Sequence, residues 1–354
     1  MMQKNSNTRE LYRQEQLPVF QNRMYDSRTE AINCPKGDVS LVEDLDTGLA
    51  YNAAFDADLM VYDSSYQNEQ ANSAPFRAHL EQVSELVRQK MGRENLVEVG
   101  CGKGYFLEML QDQGCDITGF DPTYEGSNPR VKREYFGPGL GMSGDGLILR
   151  HVLEHIVDPV SFLKQLAEAN GNRGLIYIEV PCFDWICQNR TWYDIFYEHV
   201  NYFRLSDFNR IFGRVVHAER VFGGQYLAVI GDLSTLRTPV ADPDDRVDFP
   251  ADFTATIPDG AKTGKAVVWG GASKGVIFSL LAQRAGYPVA AVIDINPAKQ
   301  GKYLAATGLQ VQSPEQALAD LPEGADIYVM NPNYLSEIRE LSGNKYNYIE
   351  VDKP

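Results

Sequence analysis

Three glycines at alternating positions, Gly100, Gly102 and Gly104, constrain the fold of this chain more than any other feature of its sequence. They directly follow a short apolar run, residues 95–99, that is typical of a buried strand in a parallel sheet. A helical pattern of apolar residues begins just after them, at Phe106. Because glycine lacks a Cβ atom, such a loop can turn sharply and bring its backbone close to a ligand. The order strand, glycine loop, helix therefore predicts an α/β unit with a ligand site at the loop.

The same alternation continues along the middle of the chain. Further strands are predicted at residues 116–121, 146–150 and 175–180, and helical patterns separate them. Parallel strands joined by helices require right-handed crossovers, so we predict a doubly wound central sheet. A second strand, glycine turn and helix at residues 266–275 predict a smaller Rossmann-like α/β unit near the C-terminus.

These patterns divide the chain into four predicted segments. The first is polar and irregular with short β-like runs, and a stretch rich in proline and aspartate separates the two α/β units. The predicted segments are a small N-terminal irregular or β domain (1–75), the central α/β domain (76–237), a linker (238–264) and the C-terminal Rossmann-like domain (265–354).

Composition excludes several functional classes. The 354 residues include 33 Lys+Arg and 48 Asp+Glu, a net charge of −15. Nucleic-acid binding without sequence preference needs a basic surface, so we expect no nucleic-acid partner, and an anionic substrate would need a local pocket of lysine and arginine. No apolar run is long enough for a membrane span, and no signal peptide is visible. Five irregularly spaced cysteines favour free thiols, so we expect a cytoplasmic protein. We also expect a small-molecule substrate.

Two acidic residues flank the glycine loop. Glu98 precedes it, and Asp121 ends the next predicted strand, where a carboxylate can accept hydrogen bonds from ribose hydroxyls. The glycines alone are also compatible with a nicotinamide or flavin site, or with a purely structural loop. The acid followed by Gly-x-Gly-x-Gly resembles the S-adenosylmethionine site of class I methyltransferases. That resemblance implies this cofactor, bound by Glu98, Gly100, Gly102, Gly104 and Asp121, and the carboxylate of Glu98 suits a cationic ligand.

Two histidine-containing stretches are the candidate catalytic segments. Residues 150–155 (Arg-His-Val-Leu-Glu-His) match an inverted zinc-protease pattern, but they follow a strand of the predicted sheet and no third ligand is evident. Here His155 either packs or caps a helix, or it points into the site. In the second stretch, Tyr197, Glu198 and His199 combine a proton acceptor with donors that can hold a developing oxyanion. The alternative there is an aromatic core with a buried, hydrogen-bonded histidine.

The order of these motifs resembles the three-domain sugar C-methyltransferases and their relatives, over nearly the whole chain. Besides the motifs above, the resemblance rests on residues 17–25, 47–52, 62–73, 269–275 and 294–303. It implies an N-terminal zinc-binding domain, a central class I methyltransferase domain and a C-terminal Rossmann-like domain. Members of that family remove a proton beside a ketone in a nucleotide-linked sugar and then methylate the enolate carbon.

The resemblance also implies roles for individual residues. By position, His199 and Glu198 match the catalytic base and its partner, and His155 matches a second active-site histidine. Tyr62 matches a tyrosine that reaches in from the first domain, and with Tyr197 and His155 it would bind the enolate oxygen.

Two departures from the family pattern bear on the substrate and on the metal. The sugar enzymes typically have Tyr-His-Glu-His where residues 196–199 are Phe-Tyr-Glu-His. The family's zinc ligands are paired cysteines, whereas Cys34 alone lies in the first predicted domain. Because one thiol cannot build a tetrahedral site, we predict no structural zinc and no metal.

The C-terminal unit has three possible roles. Its glycine turn and Asp294 could bind a dinucleotide, hold the nucleotide or phosphate end of the substrate, or serve only structure. The family resemblance favours substrate binding, with Lys274 and Lys299 as ligands of a diphosphate. Lone lysines on an acidic protein are, however, usually solvated.

Together these features predict an S-adenosylmethionine-dependent methyltransferase. We expect C-methylation of a keto-sugar, nucleotide-linked, or of a related carbonyl compound, through an enolate. One alternative is an O- or N-methyltransferase on the same scaffold, in which the Glu-His pair deprotonates a hydroxyl or amine. The other is a non-catalytic module that binds the same cofactor. The sequence does not determine the oligomeric state.

Overall fold

The computed structural model describes residues 7–60, 71–263 and 265–352. The strands are β1 (Thr8–Pro18), β2 (Met24–Tyr25), β3 (Lys36–Asp44), β4 (Ala50–Asn52), β5 (Leu96–Val99), β6 (Ile117–Phe120), β7 (Val131–Lys132), β8 (Gly146–Arg150), β9 (Leu175–Pro181), β10 (Asn201–Tyr202), β11 (Val215–Val221), β12 (Tyr226–Asp232), β13 (Val267–Trp269), β14 (Ala291–Ile293), β15 (Tyr303–Leu304), β16 (Val311–Gln312), β17 (Asp326–Val329) and β18 (Asn347–Glu350). The α-helices are α1 (Arg28–Ile32), α2 (Ala74–Met91), α3 (Tyr105–Asp112), α4 (Pro159–Ala169), α5 (Phe183–Asn189), α6 (Leu205–Ile211), α7 (Lys274–Arg284), α8 (Pro314–Leu318) and α9 (Leu335–Leu341).

The central sheet confirms the predicted α/β class. Its order is β11-β12-β9-β8-β5-β6-β7. Strands β7, β6, β5, β8 and β9 run parallel, whereas β12 runs antiparallel to β9. Because parallel strands end at the same edge, the glycine loop after β5, Asp121 after β6 and residues 150–155 after β8 meet at that edge.

Helix α2 covers one face of this sheet together with α3. The buried side chains of α2 are spaced by three or four residues, as predicted: Phe76, Leu80, Val83 and Val87. Pro75 lies in its first turn, where proline removes no helical hydrogen bond.

The N-terminal residues form an antiparallel sheet of order β1-β3-β4-β10. Strand β10 comes from the middle of the chain and begins two residues after His199. The amide of Asn52 also donates to the carbonyl of Val200 over 2.7 Å. The N-terminal sheet therefore fixes the segment that carries His199. Phe20, Leu49 and Cys34 are buried in the same core, and the absence of a structural zinc stays a prediction.

The C-terminal unit is a parallel sheet of order β16-β14-β13-β17-β18, with a glycine loop between β13 and α7. The predicted linker, which precedes the C-terminal unit, packs against the N-terminal residues. Val247 and Phe253 of this linker are buried, and the ring of Phe253 contacts that of Tyr12 edge-on, with 5.2 Å between the ring centroids. Strand β15 pairs with β2, which joins the C-terminal unit to the N-terminal residues. Within the described ranges, no helix has the length and apolar character needed to cross a membrane.

Candidate active site

A cavity of about 1250 Å³ lies where the three units meet. Phe55 and Met60 line it from the N-terminal residues, and the carboxyl edge of the central sheet forms its middle. The loop between β13 and α7 closes the side that faces the C-terminal unit. The cavity therefore joins the first glycine loop, both histidine-containing stretches and the second glycine loop in one space.

The first glycine loop needs its glycines for two different reasons. Gly100, Gly102 and Gly104 all have positive φ angles, of 72°, 55° and 82°, which side chains with a Cβ atom rarely adopt. A Cβ atom at Gly100 would lie 2.6 Å from Val152, whereas one at Gly102 would meet nothing within 4 Å. Since Gly102 lines the cavity, its open side is space that a ligand can fill.

Asp121 closes the loop from the next strand. One carboxylate oxygen accepts a hydrogen bond from the amide of Gly102 over 2.8 Å. The other accepts from the amide and the hydroxyl of Thr123 over 2.8 and 2.7 Å. The carboxylate lies on the cavity wall at the carboxyl end of β6, as predicted.

Glu98 brings a buried carboxyl group to the same wall. It is 3% exposed, and its Oε2 atom has no hydrogen-bond partner among the described residues. Burial raises the pKa of Glu98 to about 8, although the charge of Arg150 opposes the rise. A cationic group bound here would stabilise the carboxylate and use the free acceptor atom, so the site fits a positively charged ligand.

Beside the loop, Glu154, His155 and His199 form a cluster on the cavity wall. Their ligand atoms lie within 4.8 Å of one another, close enough to surround a cation. The two imidazole rings have centroids 5.0 Å apart. The Nδ1 atom of His155 lies 2.9 Å from the carbonyl of Glu198, which can only accept, so Nδ1 carries the proton. In a neutral ring, the Nε2 atom of His155 is then an acceptor.

The electrostatic environment makes His199 neutral. Burial and the charge of His155 lower the pKa of His199 to about 3, although Glu154 acts in the opposite direction. Glu154 itself is 1% exposed, and its Oε2 atom has no hydrogen-bond partner among the described residues. Burial raises the pKa of Glu154, but the hydrogen bond with His151 and the charge of His155 outweigh it and keep the pKa low. The cluster therefore combines a neutral imidazole with a carboxylate.

A buried charge network lies directly below this cluster. Glu179, fully buried within β9, accepts hydrogen bonds from His79, Arg150, His151 and Tyr177 over 2.6 to 3.1 Å. Burial would lower the pKa of His151, but hydrogen bonds to Glu154 and Glu179 outweigh it and raise the pKa to about 9. The protonated ring of His151 thus lies between two carboxylates and connects the network to the cluster.

Two predicted catalytic side chains lie away from the cavity. The hydroxyl of Tyr197 bonds to the backbone of Asp56, at 2.8 Å from its amide and 3.2 Å from its carbonyl. A carboxylate oxygen of Glu198 accepts from the amide of Gln21 over 3.2 Å. Neither side chain lines the cavity, so the carboxylate next to His199 is that of Glu154 rather than Glu198. Tyr62 lies outside the described residues.

The two lysines predicted to bind a diphosphate do line the cavity, but both are ion-paired. The Nζ atom of Lys274 lies 2.8 Å from a carboxylate oxygen of Asp194. The Nζ atom of Lys299 lies 3.2 Å from a carboxylate oxygen of Asp294. Their positive charges are therefore already balanced by side chains of this chain.

Comparisons with known proteins identify the class of enzyme. Residues 68–215 match a family model described as a methyltransferase domain, which covers β5 to the start of β11 and thus the glycine loop and both histidine-containing stretches. The C-methyltransferase NovU of Streptomyces niveus is 24% identical over 308 residues, which are 73% of this chain and 72% of that protein. The protein is an S-adenosylmethionine-dependent methyltransferase.

Solved structures also resemble parts of this methyltransferase. One is the 1,6-didemethyltoxoflavin-N1-methyltransferase of Burkholderia thailandensis, with 14% identity, a TM-score of 0.35, and coverage of 52% of this chain and 95% of that chain. Another is the plantazolicin methyltransferase BpumL, with 16% identity, a TM-score of 0.37, and coverage of 47% of this chain and 87% of that chain. Both were solved with S-adenosylhomocysteine.

Proposed function

We propose that this methyltransferase methylates a carbon atom next to a carbonyl group, after His199 has removed the proton from that carbon. The observation that carries the proposal is the pairing of a neutral His199 with the Glu154 carboxylate on the same cavity wall as the glycine loop. The similarity to a C-methyltransferase, NovU, supports it. The proposal includes membership of the three-domain sugar C-methyltransferases, with a keto-sugar or related carbonyl compound as substrate.

The glycine loop fits the cofactor. S-adenosylmethionine supplies a methyl group on a positively charged sulfur and also carries an ammonium group. Glu98 offers the free buried acceptor that a cation needs, and Gly102 leaves open space beside it. Asp121 places a carboxylate at the end of β6, where ribose hydroxyls can donate to it. We assign cofactor binding to these residues together with Gly100 and Gly104.

A valine at Gly102 should abolish cofactor binding. The side chain would occupy the open space and strain a backbone with φ of 55°. We expect the affinity for S-adenosylhomocysteine to fall at least roughly 100-fold in calorimetry. Gly92→Val is the matched control, because Gly92 also has a positive φ, of 88°, and open surroundings but does not line the cavity. Equal losses in both variants would show that backbone strain, not the ligand, explains the effect.

Proton removal uses the cluster. His199 is neutral and can accept a proton, and the nearby Glu154 carboxylate stabilises the imidazolium that results. His155 can donate to a developing enolate oxygen only in its protonated form, because its Nδ1 proton is already bonded to the carbonyl of Glu198. The C–H bond is thus broken by this chain's own residues before the carbon is methylated.

Glu154→Gln should therefore impair the reaction more than Glu198→Gln. Removing the negative charge beside His199 weakens the base, and we expect turnover to fall roughly 10- to 100-fold with cofactor affinity unchanged. Glu198→Gln keeps an oxygen that can accept from the amide of Gln21, so its loss should be smaller. Single-turnover rates measure the chemical step. A larger loss in Glu198→Gln would return the catalytic role to Glu198.

Methylation of oxygen or nitrogen is the second candidate function. The lowered pKa of His199 makes it a weak base, which suits a proton more acidic than that beside a simple ketone. The deciding experiment is product analysis with a donor carrying a ¹³C-labelled methyl group. Carbon-bound and heteroatom-bound methyl groups differ in ¹³C chemical shift, so a labelled methyl group on oxygen or nitrogen would contradict the C-methylation proposal.

A further inference from the structure

The His-x-x-Glu-His pattern of residues 151–155 is typical of a metal site when a further ligand lies nearby. No such ligand is evident from the sequence, but the fold supplies one, because His199 lies beside Glu154 and His155. One ligand atom from each of these three side chains lies within 4.8 Å of the others, and His151 lies outside this set. The cluster therefore offers two imidazoles and one carboxylate to a single ion.

Each of the three side chains can offer an acceptor atom. The Oε2 atom of Glu154 is buried and has no hydrogen-bond partner among the described residues. The Nδ1–H group of His155 donates to the carbonyl of Glu198 over 2.9 Å, which leaves Nε2 as its acceptor. His199 contributes the acceptor nitrogen that every neutral imidazole has. A buried carboxylate oxygen without a partner is costly, and a bound cation would remove that cost.

The groups around the cluster hold its ligands as they are held in metal sites. An imidazole that binds a metal almost always donates its other nitrogen to a carbonyl or a carboxylate, as His155 does. Carboxylate ligands are held by hydrogen bonds in turn, and Nδ1 of His151 lies 3.4 Å from Oε1 of Glu154. Nε2 of His151 lies 3.0 Å from Glu179, which balances the charge of the ring from the other side. Oε2 of Glu154 therefore stays available to a cation.

Two further hydrogen bonds join the chain segments that carry the ligands. The amide of Val200, next to His199, donates to the carbonyl of Glu154 over 2.8 Å. The side chain of Asn201 donates to the carbonyl of Ile156 over 2.6 Å. The segments are thus held together before any ion binds, which favours binding. Side-chain rotation then has to shorten the ligand separations, which are at most 4.8 Å, to the roughly 3.4 Å of a tetrahedral site.

The donor set selects the kind of ion. Two imidazole nitrogens and one carboxylate oxygen suit divalent transition ions such as Zn²⁺ and Co²⁺, whereas Mg²⁺ and Ca²⁺ prefer oxygen ligands alone. All three residues line the cavity, so a fourth ligand position would face the space that the substrate is proposed to enter. An ion held here would therefore occupy the place of the proposed proton removal.

We propose that Glu154, His155 and His199 bind one divalent transition-metal ion of the Zn²⁺ type, and that the bound ion inhibits methyl transfer. The inhibition rests on the proposed function, because a nitrogen of His199 that binds an ion cannot accept the proton of the substrate. The ion is an inhibitor and not a cofactor, so the reaction itself needs none. The prediction of no metal was based on the missing cysteine pairs, and this cluster uses no cysteine.

Binding is measured by calorimetry on the untagged full chain without cofactor. We expect one Co²⁺ per chain with a Kd of about 10 μM or tighter, and no saturable binding of Mg²⁺. His155→Ala should weaken Co²⁺ binding at least about 100-fold, because it removes one of three ligands. His217→Ala is the matched control, since His217 pairs with Glu219 outside the cavity, and should bind as the wild type does. Equal losses in both variants, or no saturable binding, would overturn the site and leave the proposed function untouched.

The ligands are identified from the visible spectrum of the Co²⁺ complex and from X-ray absorption of the Zn²⁺ complex. We expect nitrogen and oxygen ligands, with the scattering pattern of imidazole. Sulfur ligands lie at a longer distance from zinc, so they are readily distinguished. Their presence would place the ion at one of the five free cysteines and would overturn the assignment.

Inhibition is measured in each variant as the ratio of single-turnover rates with and without Co²⁺. At ten times its Kd the ion should lower the wild-type rate about tenfold, and a chelator should restore it. At the same concentration His155→Ala, which retains His199, should keep about nine-tenths of its own rate. Affinity for S-adenosylhomocysteine reports folding, and Glu154→Gln replaces His155→Ala if that variant does not fold. A wild-type rate that bound Co²⁺ leaves unchanged or raises would overturn the inhibition, whereas product analysis tests the proposed function separately.

Discussion

His199→Ala is expected to lower turnover by about 10² to 10⁴, the usual worth of a positioned general base. The affinity for S-adenosylhomocysteine should not change, because the glycine loop is untouched. His217→Ala is the matched control, since His217 lies on β11 and pairs with Glu219 over 2.9 Å, outside the cavity. Single-turnover methyl transfer measures the effect. A loss below about tenfold would remove His199 from the chemical step.

The pH dependence gives an independent check on the same residue. A base must be neutral to act, and the pKa of His199 is lowered to about 3. The rate should therefore stay level as the pH falls through the usual range of histidine, near 6.5, and decline only towards the lowered pKa. A decline centred near 6.5 that disappears in His155→Ala, but not in His199→Ala, would make His155 the base.

Exchange of the substrate proton in D₂O separates the two candidate reactions. Carbon methylation through an enolate predicts exchange of the proton beside the carbonyl without cofactor, and His199→Ala should abolish it. Exchange that survives this substitution would assign the base elsewhere. A heteroatom-methylated product without any exchange would favour the second candidate function.

The parts of the site that follow from strand order were predictable from sequence. The glycine loop, Asp121 and His155 all follow parallel strands, and the carboxyl ends of such strands meet at one edge. No local rule of this kind applies to Glu198 and His199. They are neighbours in an irregular segment, and the side chain of Glu198 turns to the N-terminal residues while that of His199 lines the cavity.

The partners of charged side chains were not predictable, because they come from distant parts of the chain. Lys274 pairs with Asp194, 80 residues earlier, and the pairing depends on how the C-terminal unit meets the central one. Glu154 was visible in the His-x-x-Glu-His pattern, yet its place beside His199 depends on β10 joining the N-terminal sheet. The pattern itself was the signal that could have identified Glu154.

Glu179→Gln should be the most destabilising conservative substitution at the site, by about 3 to 5 kcal/mol. Glutamine keeps the size of the side chain but removes its negative charge. In the wild type, a carboxylate oxygen of Glu179 contacts Arg150, His79 and the protonated His151. Arg150 would then lie buried without the charge that balances it, and His151 would keep only the carboxylate of Glu154. Glu219→Gln, at an exposed pair with His217, is the control and should change stability by less than about 0.5 kcal/mol. The free energy of unfolding in urea measures both.

The same network predicts how stability depends on pH. The pKa of Glu179 is held well below its usual value, so its contribution is present above the pKa of the unfolded chain, near 4.5, and is lost as the pH falls through the lower folded value. The pKa of His151 is raised from 6.5 to about 9, so its contribution is complete below 6.5 and is lost as the pH rises through 9. We therefore expect greatest stability between these limits and a decline on the alkaline side that Glu179→Gln reduces. An unfolding free energy that stays constant from pH 6 to pH 9.5 in the wild type would contradict the charged His151 at the centre of this network.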